Sequence, residues 1–235
     1  MKPLPTPGIL VAFEGIDGAG KTTQVGLVSS HLMDEELAVV TSKEPTNGVW
    51  GSKLRESAQT GRLDPKQELE LFLLDRRSHV DTLINPALKR GEIVLLDRYY
   101  FSTAAYQGIH GGASPAEILR LNEEFAPEPD LLVILDLPAE LGIERIGGRG
   151  DQANLFEQVA DLSRCREIFR GFKEAKPYVM FLDATEDPNR LARRIANQIL
   201  RIIPQRIADA PNLTIPEKLA AIQSALGSSN VIQDV

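Results

Sequence analysis

The sequence predicts a doubly wound α/β domain: a five-stranded parallel sheet with helices on both faces and a closing lid. Three features carry this. Five short apolar runs alternate with amphipathic helical stretches along the chain, the pattern of repeated βαβ units. The first run, Gly8 to Phe13, leads into Gly15-Ile16-Asp17-Gly18-Ala19-Gly20-Lys21-Thr22, a phosphate-binding loop of the form G-x-x-x-x-G-K-[ST]. A later run, Ile93 to Leu96, closes on Asp97-Arg98, placing charge at the carboxyl end of a strand buried on both faces.

Taken in order, Met1 to Pro7 holds three prolines and reads as an extended lead-in. The helix after the loop carries Val25, Leu27, Val28, Leu32 and Met33 at helical spacing, and Ala38 to Thr41 is the second strand. Lys43-Glu44-Pro45-Thr46-Asn47-Gly48 is a charged loop directly after a strand, the place where a ligand is met. A helix is expected from Val49 to Thr60, stopped by Gly61. The longest helical pattern, Pro65 to Arg90, is expected to kink or break near Pro86. After the Ile93 strand come a short helix from Ser102 to Gln107 and a helix from Pro115 to Glu124 with Ser114 as cap. Leu131 to Leu135 is the fourth strand, followed by a helix from Pro138 to Ile146. Gly147 to Gln152 is polar and glycine-rich, a lid candidate placed at about residues 145–157. Phe156 to Glu174 is helical, Tyr178 to Leu182 is the fifth strand, and Pro188 to Ile203 is a closing helix that Pro204 breaks. One domain over residues 1–204 is expected, with residues 205–235 as an appended tail containing one weak amphipathic turn set, Pro216 to Leu226.

Composition narrows the partners. A net charge of -7 and an isoelectric point near 5.1 argue against nucleic acid as a partner, while leaving room for a local basic pocket around a small phosphate. The single cysteine, Cys165, excludes an internal disulfide and a cysteine-based zinc site, and points to a reducing, cytoplasmic setting. No apolar run reaches membrane-spanning length. His31, His79 and His110 read as ordinary polar residues.

The chemistry follows from the loop. Phosphoryl transfer asks a protein to align donor and acceptor phosphates and to neutralise the charge on the oxygens in flight. Gly15, Gly18, Ala19, Gly20, Thr22 and Thr23 would cradle the donor phosphates, with Lys21 reaching their far end and the Thr22 hydroxyl holding Mg²⁺. Asp97 could support the metal through a water, or else cap the next turn. Arg98 has the fork suited to an acceptor phosphate, or could pair with a neighbouring acid. Phe72 and Arg76 share a helix face and form either a platform for a base or, for the ring, ordinary core. Arg145 and Arg149 flank the lid and would bring charge over the transferring group, or simply face solvent.

The chain resembles thymidylate kinases of the P-loop NTPase fold. The resemblance lies in FEGIDGAGKTTQ, in Lys43-Glu44-Pro45, and in LFLLDRRSHVDTLINPALKRGEIVLLDRYYFSTAAYQG from Leu71 to Gly108, and it spans about Ile9 to Ile203. The segment Asp97 to Gly108 is far more specific than the phosphate loop. The resemblance implies a homodimeric enzyme that uses ATP and Mg²⁺ to phosphorylate dTMP. By it, Phe72 stacks on thymine, Arg76 bonds a thymine carbonyl oxygen, and Thr103 and Gln107 face the base edge. Tyr106 lies near the sugar, Arg98 holds the acceptor phosphate, Asp17 sits on the acceptor side near the 3′-hydroxyl, and Glu44 belongs to the substrate-binding set. Gly18, being small, implies the branch of the family whose lid supplies the arginines, here Arg149 with Arg145. The lid departs from that pattern: Asn154-Leu155 stand before Phe156-Glu157, where many bacterial relatives carry an Asp-Arg pair. The rival readings are a related nucleoside or nucleoside monophosphate kinase, and a nucleotide-binding regulatory protein with weakened catalysis.

Overall fold

The computed structural model describes residues 7–227 except 62, 110–111, 148–151 and 211–212. Five parallel strands form one sheet: β1 (Ile9–Glu14), β2 (Val39–Lys43), β3 (Ile93–Asp97), β4 (Leu131–Asp136) and β5 (Val179–Asp183), in the order β2-β3-β1-β4-β5. Every residue of β1 and β3 is buried, which is why both read as unbroken apolar runs. Register brings Phe13 and Lys43 level with Asp97 on either side of β3. The next residues are tied to the same edge, since the Arg98 N–H donates to the Phe13 carbonyl and the Glu44 N–H to the Asp97 carbonyl.

The helices follow in chain order: α1 (Lys21–Asp34), α2 (Val49–Thr60), α3 (Pro65–His79), α4 (Asn85–Lys89), α5 (Tyr100–Gly108), α6 (Pro115–Glu123), α7 (Ala139–Arg145), α8 (Gln152–Ala175), α9 (Pro188–Asp209) and α10 (Ile215–Gly227). α1 packs against α9, while α5 packs against α6 and α8. The expected boundaries hold where local chemistry sets them. Ser114 and Glu117 form a reciprocal capping box at the start of α6, and Gly61, at a φ of 132°, ends α2.

One expectation holds in a specific form and two need correction. The helical pattern from Pro65 is interrupted near Pro86, as expected: α3 ends at His79 and Val80–Ile84 is a π-helical turn before α4, in which the Asn85 N–H bonds the Val80 carbonyl five residues back. The widened turn carries the chain past a proline that lacks an N–H, and keeps Val80, Ile84 and Ala87 buried. α8 starts at Gln152, four residues before the expected Phe156. Pro204 does not break α9, which continues to Asp209. Leu191, Ile195, Ile199, Ile203 and Ile207 recur every fourth residue and are all buried. Burying each such side chain contributes about 1.5–3 kcal/mol, so this stripe outweighs the roughly 3 kcal/mol that an internal proline costs. Beyond it, α10 docks on α9 with Ala221 buried, and Thr214 and Glu217 cap its start.

Candidate active site

The phosphate-binding loop joins β1 to α1 with its glycines in conformations closed to other residues. Gly18, at a φ of 79°, lies against α7, where an added Cβ would stand 2.5 Å from the Gly142 carbonyl oxygen. Gly20, at a φ of 91°, has nothing within 4 Å of that position, so the concavity ahead of α1 is open where a phosphate would sit. Lys21 folds along the loop and donates to the carbonyls of Gly15 (3.0 Å) and Ile16 (2.8 Å). Burial is the main reason its ammonium is pulled down to about 8. The Thr22 hydroxyl donates to Asp97 Oδ2 at 2.5 Å, so the two residues expected to hold a metal meet at the end of β3. Ala19 is buried beneath the loop and Thr23 is exposed in the first turn of α1.

Beside the loop lies a cavity of about 260 Å³. Asp17 and Arg98 line it nearest the loop, Phe72 and Arg76 line it from α3, and Thr103, Tyr106 and Gln107 from α5, with Glu44 at its margin. These segments are far apart in sequence, and the sheet edge gathers them.

Arg98 adopts a φ of 71°, a conformation costly for a residue with a side chain, which holds its guanidinium over the cavity. That group donates to Asp17 Oδ1 at 2.5 Å and to Ser102 Oγ at 3.0 Å, and it sits 5.1 Å from the centre of the Tyr106 ring. The Tyr106 hydroxyl accepts from the Asp17 N–H at 3.0 Å, so loop and α5 are locked together. At the other end, Arg76 is buried. Its Nε donates to Glu44 Oε2 at 2.8 Å, Nη1 to Asn122 Oδ1 at 2.5 Å and Nη2 to Thr103 Oγ1 at 2.9 Å. Burial pushes the Glu44 carboxyl up, but Arg76 and His79 outweigh it, and the group stays below the usual carboxylate range.

Residues 13–195 match the family model described as thymidylate kinase. The chain is 47% identical over 216 residues to a thymidylate kinase of Xanthomonas campestris pv. campestris (strain B100), covering 92% of this chain and 93% of that protein. It is 49% identical over 201 residues to that of Xanthomonas oryzae pv. oryzae (strain PXO99A), covering 86% and 87% respectively. With the thymidylate kinase of Akkermansia muciniphila it shares 48% over 200 residues, covering 85% and 95%. The chain belongs to the thymidylate kinase family.

As a thymidylate kinase family member it is a nucleoside monophosphate kinase in class. The expected residues other than the lid pair meet at the carboxyl edge of the sheet. Arg145, at the end of α7, reaches the carbonyls of Gly18 (3.3 Å) and Ala184 (3.2 Å), beside the loop. Arg149 lies outside the described residues.

Sequence reasoning missed three residues. Arg55, on α2, lines the cavity and donates to the carbonyls of Pro45 (3.1 Å) and Thr46 (2.7 Å). Its place on one helix face with Leu54 and Ala58, just after the charged loop, was the available signal. Glu14, fully buried at the end of β1, accepts from the N–H groups of Tyr99 and Ser102 and from the Ser102 hydroxyl. An acid closing an apolar strand announces it. His79, read as an ordinary polar residue, is buried and bonded to Glu44. Asp75 explains why Thr46-Asn47-Gly48 serves as this loop: its carboxylate accepts from the Thr46 N–H (2.7 Å), the Thr46 hydroxyl (2.6 Å) and the Gly51 N–H (3.0 Å).

Proposed function

We propose that the chain transfers the γ-phosphoryl group of ATP to the 5′-phosphate of dTMP, giving ADP and dTDP. The observation that carries this reading is that one cavity has a ring and a buried guanidinium, Phe72 and Arg76, in its wall together with Arg98 and Asp17, the last belonging to the phosphate-binding loop. That combination of groups suits a pyrimidine nucleoside monophosphate whose phosphate points at the donor.

The open concavity at Gly20 fits the donor's terminal phosphates, and the hydroxyl and carboxylate of Thr22 and Asp97 are the hard oxygen donors that Mg²⁺ takes. Magnesium bound there supplies charge neutralisation across the donor phosphates. Lys21, with its ammonium at the head of the loop, moves from backbone carbonyls to the γ-phosphate oxygens. Arg98, and Arg55 from the opposite wall, hold the acceptor phosphate with an oxygen in line for attack. That oxygen forms the new bond to the γ-phosphorus as the bond to the bridging oxygen breaks and ADP departs. Phe72 stacks on the base, Arg76 donates to its carbonyl oxygen, Thr103 and Gln107 flank its edge, and Tyr106 crowds the sugar. Residues of the lid, about 145–157, close over the site and exclude water, with Arg145 and Arg149 adding positive charge.

The family resemblance further supports a homodimer acting in the cytoplasm. No described helix is long and apolar enough to cross a membrane. A coupled ADP-release assay with ATP over dTMP, dUMP, dCMP, dGMP and thymidine tests the reading. Strongest stimulation by dTMP is expected, and no preference for it over the others overturns the proposal.

A further inference from the structure

Behind Arg76 and Glu44 in the cavity wall stand two further polar side chains, His79 and Ser42, that the proposed reaction itself does not use. His79 places Nδ1 2.9 Å from Glu44 Oε1 and Nε2 2.8 Å from Ser42 Oγ. Facing an ionised carboxylate, Nδ1 carries the proton and donates. Glu44 divides its two oxygens: Oε1 accepts from His79, and Oε2 lies 2.8 Å from Arg76 Nε and 2.6 Å from Nη2. Arg76 lines the cavity; His79 does not. We propose that His79 is a positioning residue for recognition of the acceptor base, fixing the plane of the Glu44 carboxylate and through it the orientation of the Arg76 guanidinium. The inference rests on the reading of Arg76 as the donor to a base carbonyl.

The physical reason lies in the geometry of a carboxylate. Arg76 approaches a single oxygen of Glu44, which leaves the carboxylate free to rotate about its last bond. A second anchor on the other oxygen removes that freedom, as outer partners do for ligating groups elsewhere. Asn122 and Thr103 then hold the far nitrogens of Arg76, so the guanidinium is constrained on three sides. Ser42, on β2, anchors the imidazole to the sheet. Without His79, Oε1 is left buried without its partner, and the carboxylate can turn toward another donor and draw Arg76 with it.

The base recognised by such a guanidinium presents a carbonyl where cytosine presents an amine, so the ratio of kcat/KM for dTMP over dCMP reads Arg76 orientation directly. Two isosteric variants separate the contacts. In His79→Asn the amide stands near the Nδ1 position and keeps the donation to Glu44. In His79→Gln it reaches the Nε2 position and serves Ser42 alone. His79→Gln is expected to raise the KM for dTMP about tenfold and to lower the dTMP/dCMP ratio by a similar factor, with the KM for ATP unchanged. His79→Asn should retain the wild-type ratio. An unchanged ratio in His79→Gln, or equal losses in both variants and for both substrates, overturns the proposal and reduces His79 to a packing role. A wild-type enzyme with no preference for dTMP overturns the functional reading instead, before either variant is compared.

Discussion

Arg98 and Asp17 form an ion pair 2.5 Å long that spans from the end of β3 to the interior of the phosphate-binding loop. The guanidinium proposed to hold the acceptor phosphate is thereby attached to the phosphate-binding loop, and each limits where the other can move. Tyr106 and Ser102 complete the arrangement, the first fixing Asp17 and the second bonding Arg98.

Arg98→Lys should therefore not substitute for arginine. A lysine is a point charge that can satisfy Asp17 or a phosphate, but not both through one rigid fork. Steady-state kinetics are expected to show kcat/KM for dTMP falling about a hundredfold, as for loss of two charge-assisted hydrogen bonds, with the KM for ATP little changed. An ATP KM that rises in parallel would place Arg98 on the donor instead.

Arg76→Ala should raise the KM for dTMP while leaving ATP affinity nearly unchanged, because its partners Glu44, Thr103 and Asn122 all lie away from the phosphate-binding loop. Removing a buried guanidinium also leaves Glu44 without its main partner. A loss of stability of about 3–5 kcal/mol, the range for a broken buried ion pair, is expected in denaturant titrations.

Glu14 should make stability depend on pH. Burial is the main cause lifting its carboxyl from 4.5 to about 7, with Ser102 and Arg98 partly opposing the rise. Between those values the folded chain binds more protons at this site than the unfolded chain does. Its contribution is therefore full below about pH 4.5 and is lost as pH rises through about 7. Urea midpoints measured across that window should decline with pH at this site, and Glu14→Gln should flatten the decline.

Ending the chain after Pro204 should destabilise it. The cut removes buried Ile207 and Leu213 and the ion pair of Arg206 with Asp130, whose other oxygen accepts from the Leu10 N–H at the start of β1. Losing the two apolar side chains alone should cost at least about 3 kcal/mol. A truncated chain with an unchanged denaturation midpoint would show that the last turn of α9 and the helix after it contribute nothing to the fold.

Features written into neighbouring residues were legible from the sequence. The apolar strands, the capping box at Ser114, the stop at Gly61 and the phosphate-binding loop all follow from local pattern. The long-range partnerships do not. Arg76 meets Glu44 32 positions away and Asn122 46 positions away, and no spacing rule links them, so His79 looked ordinary until its carboxylate partner was located. Pro204 was misjudged for a related reason: a proline's cost is local, whereas the stripe of isoleucines that offsets it acts only through long-range packing, with α9 lying against α1 and α10. Arg55 shows the opposite failure, since its helix was foreseen and only the direction of its face was missing.

The register at the sheet edge has a consequence for how such a site can vary. Because Phe13, Asp97 and Lys43 are level on adjacent strands, the phosphate-binding loop, Arg98 and the Glu44 loop leave the sheet from one line. The ladder permits displacement only in whole residues, about 3.3 Å at a time, and each single step also turns every side chain to the opposite face. An in-line transfer tolerates no such jump. Under the proposed transfer, insertions and deletions should therefore be confined to the connections at the opposite edge, leaving strand lengths up to Phe13, Asp97 and Lys43 fixed as the ruler against which donor and acceptor would be aligned.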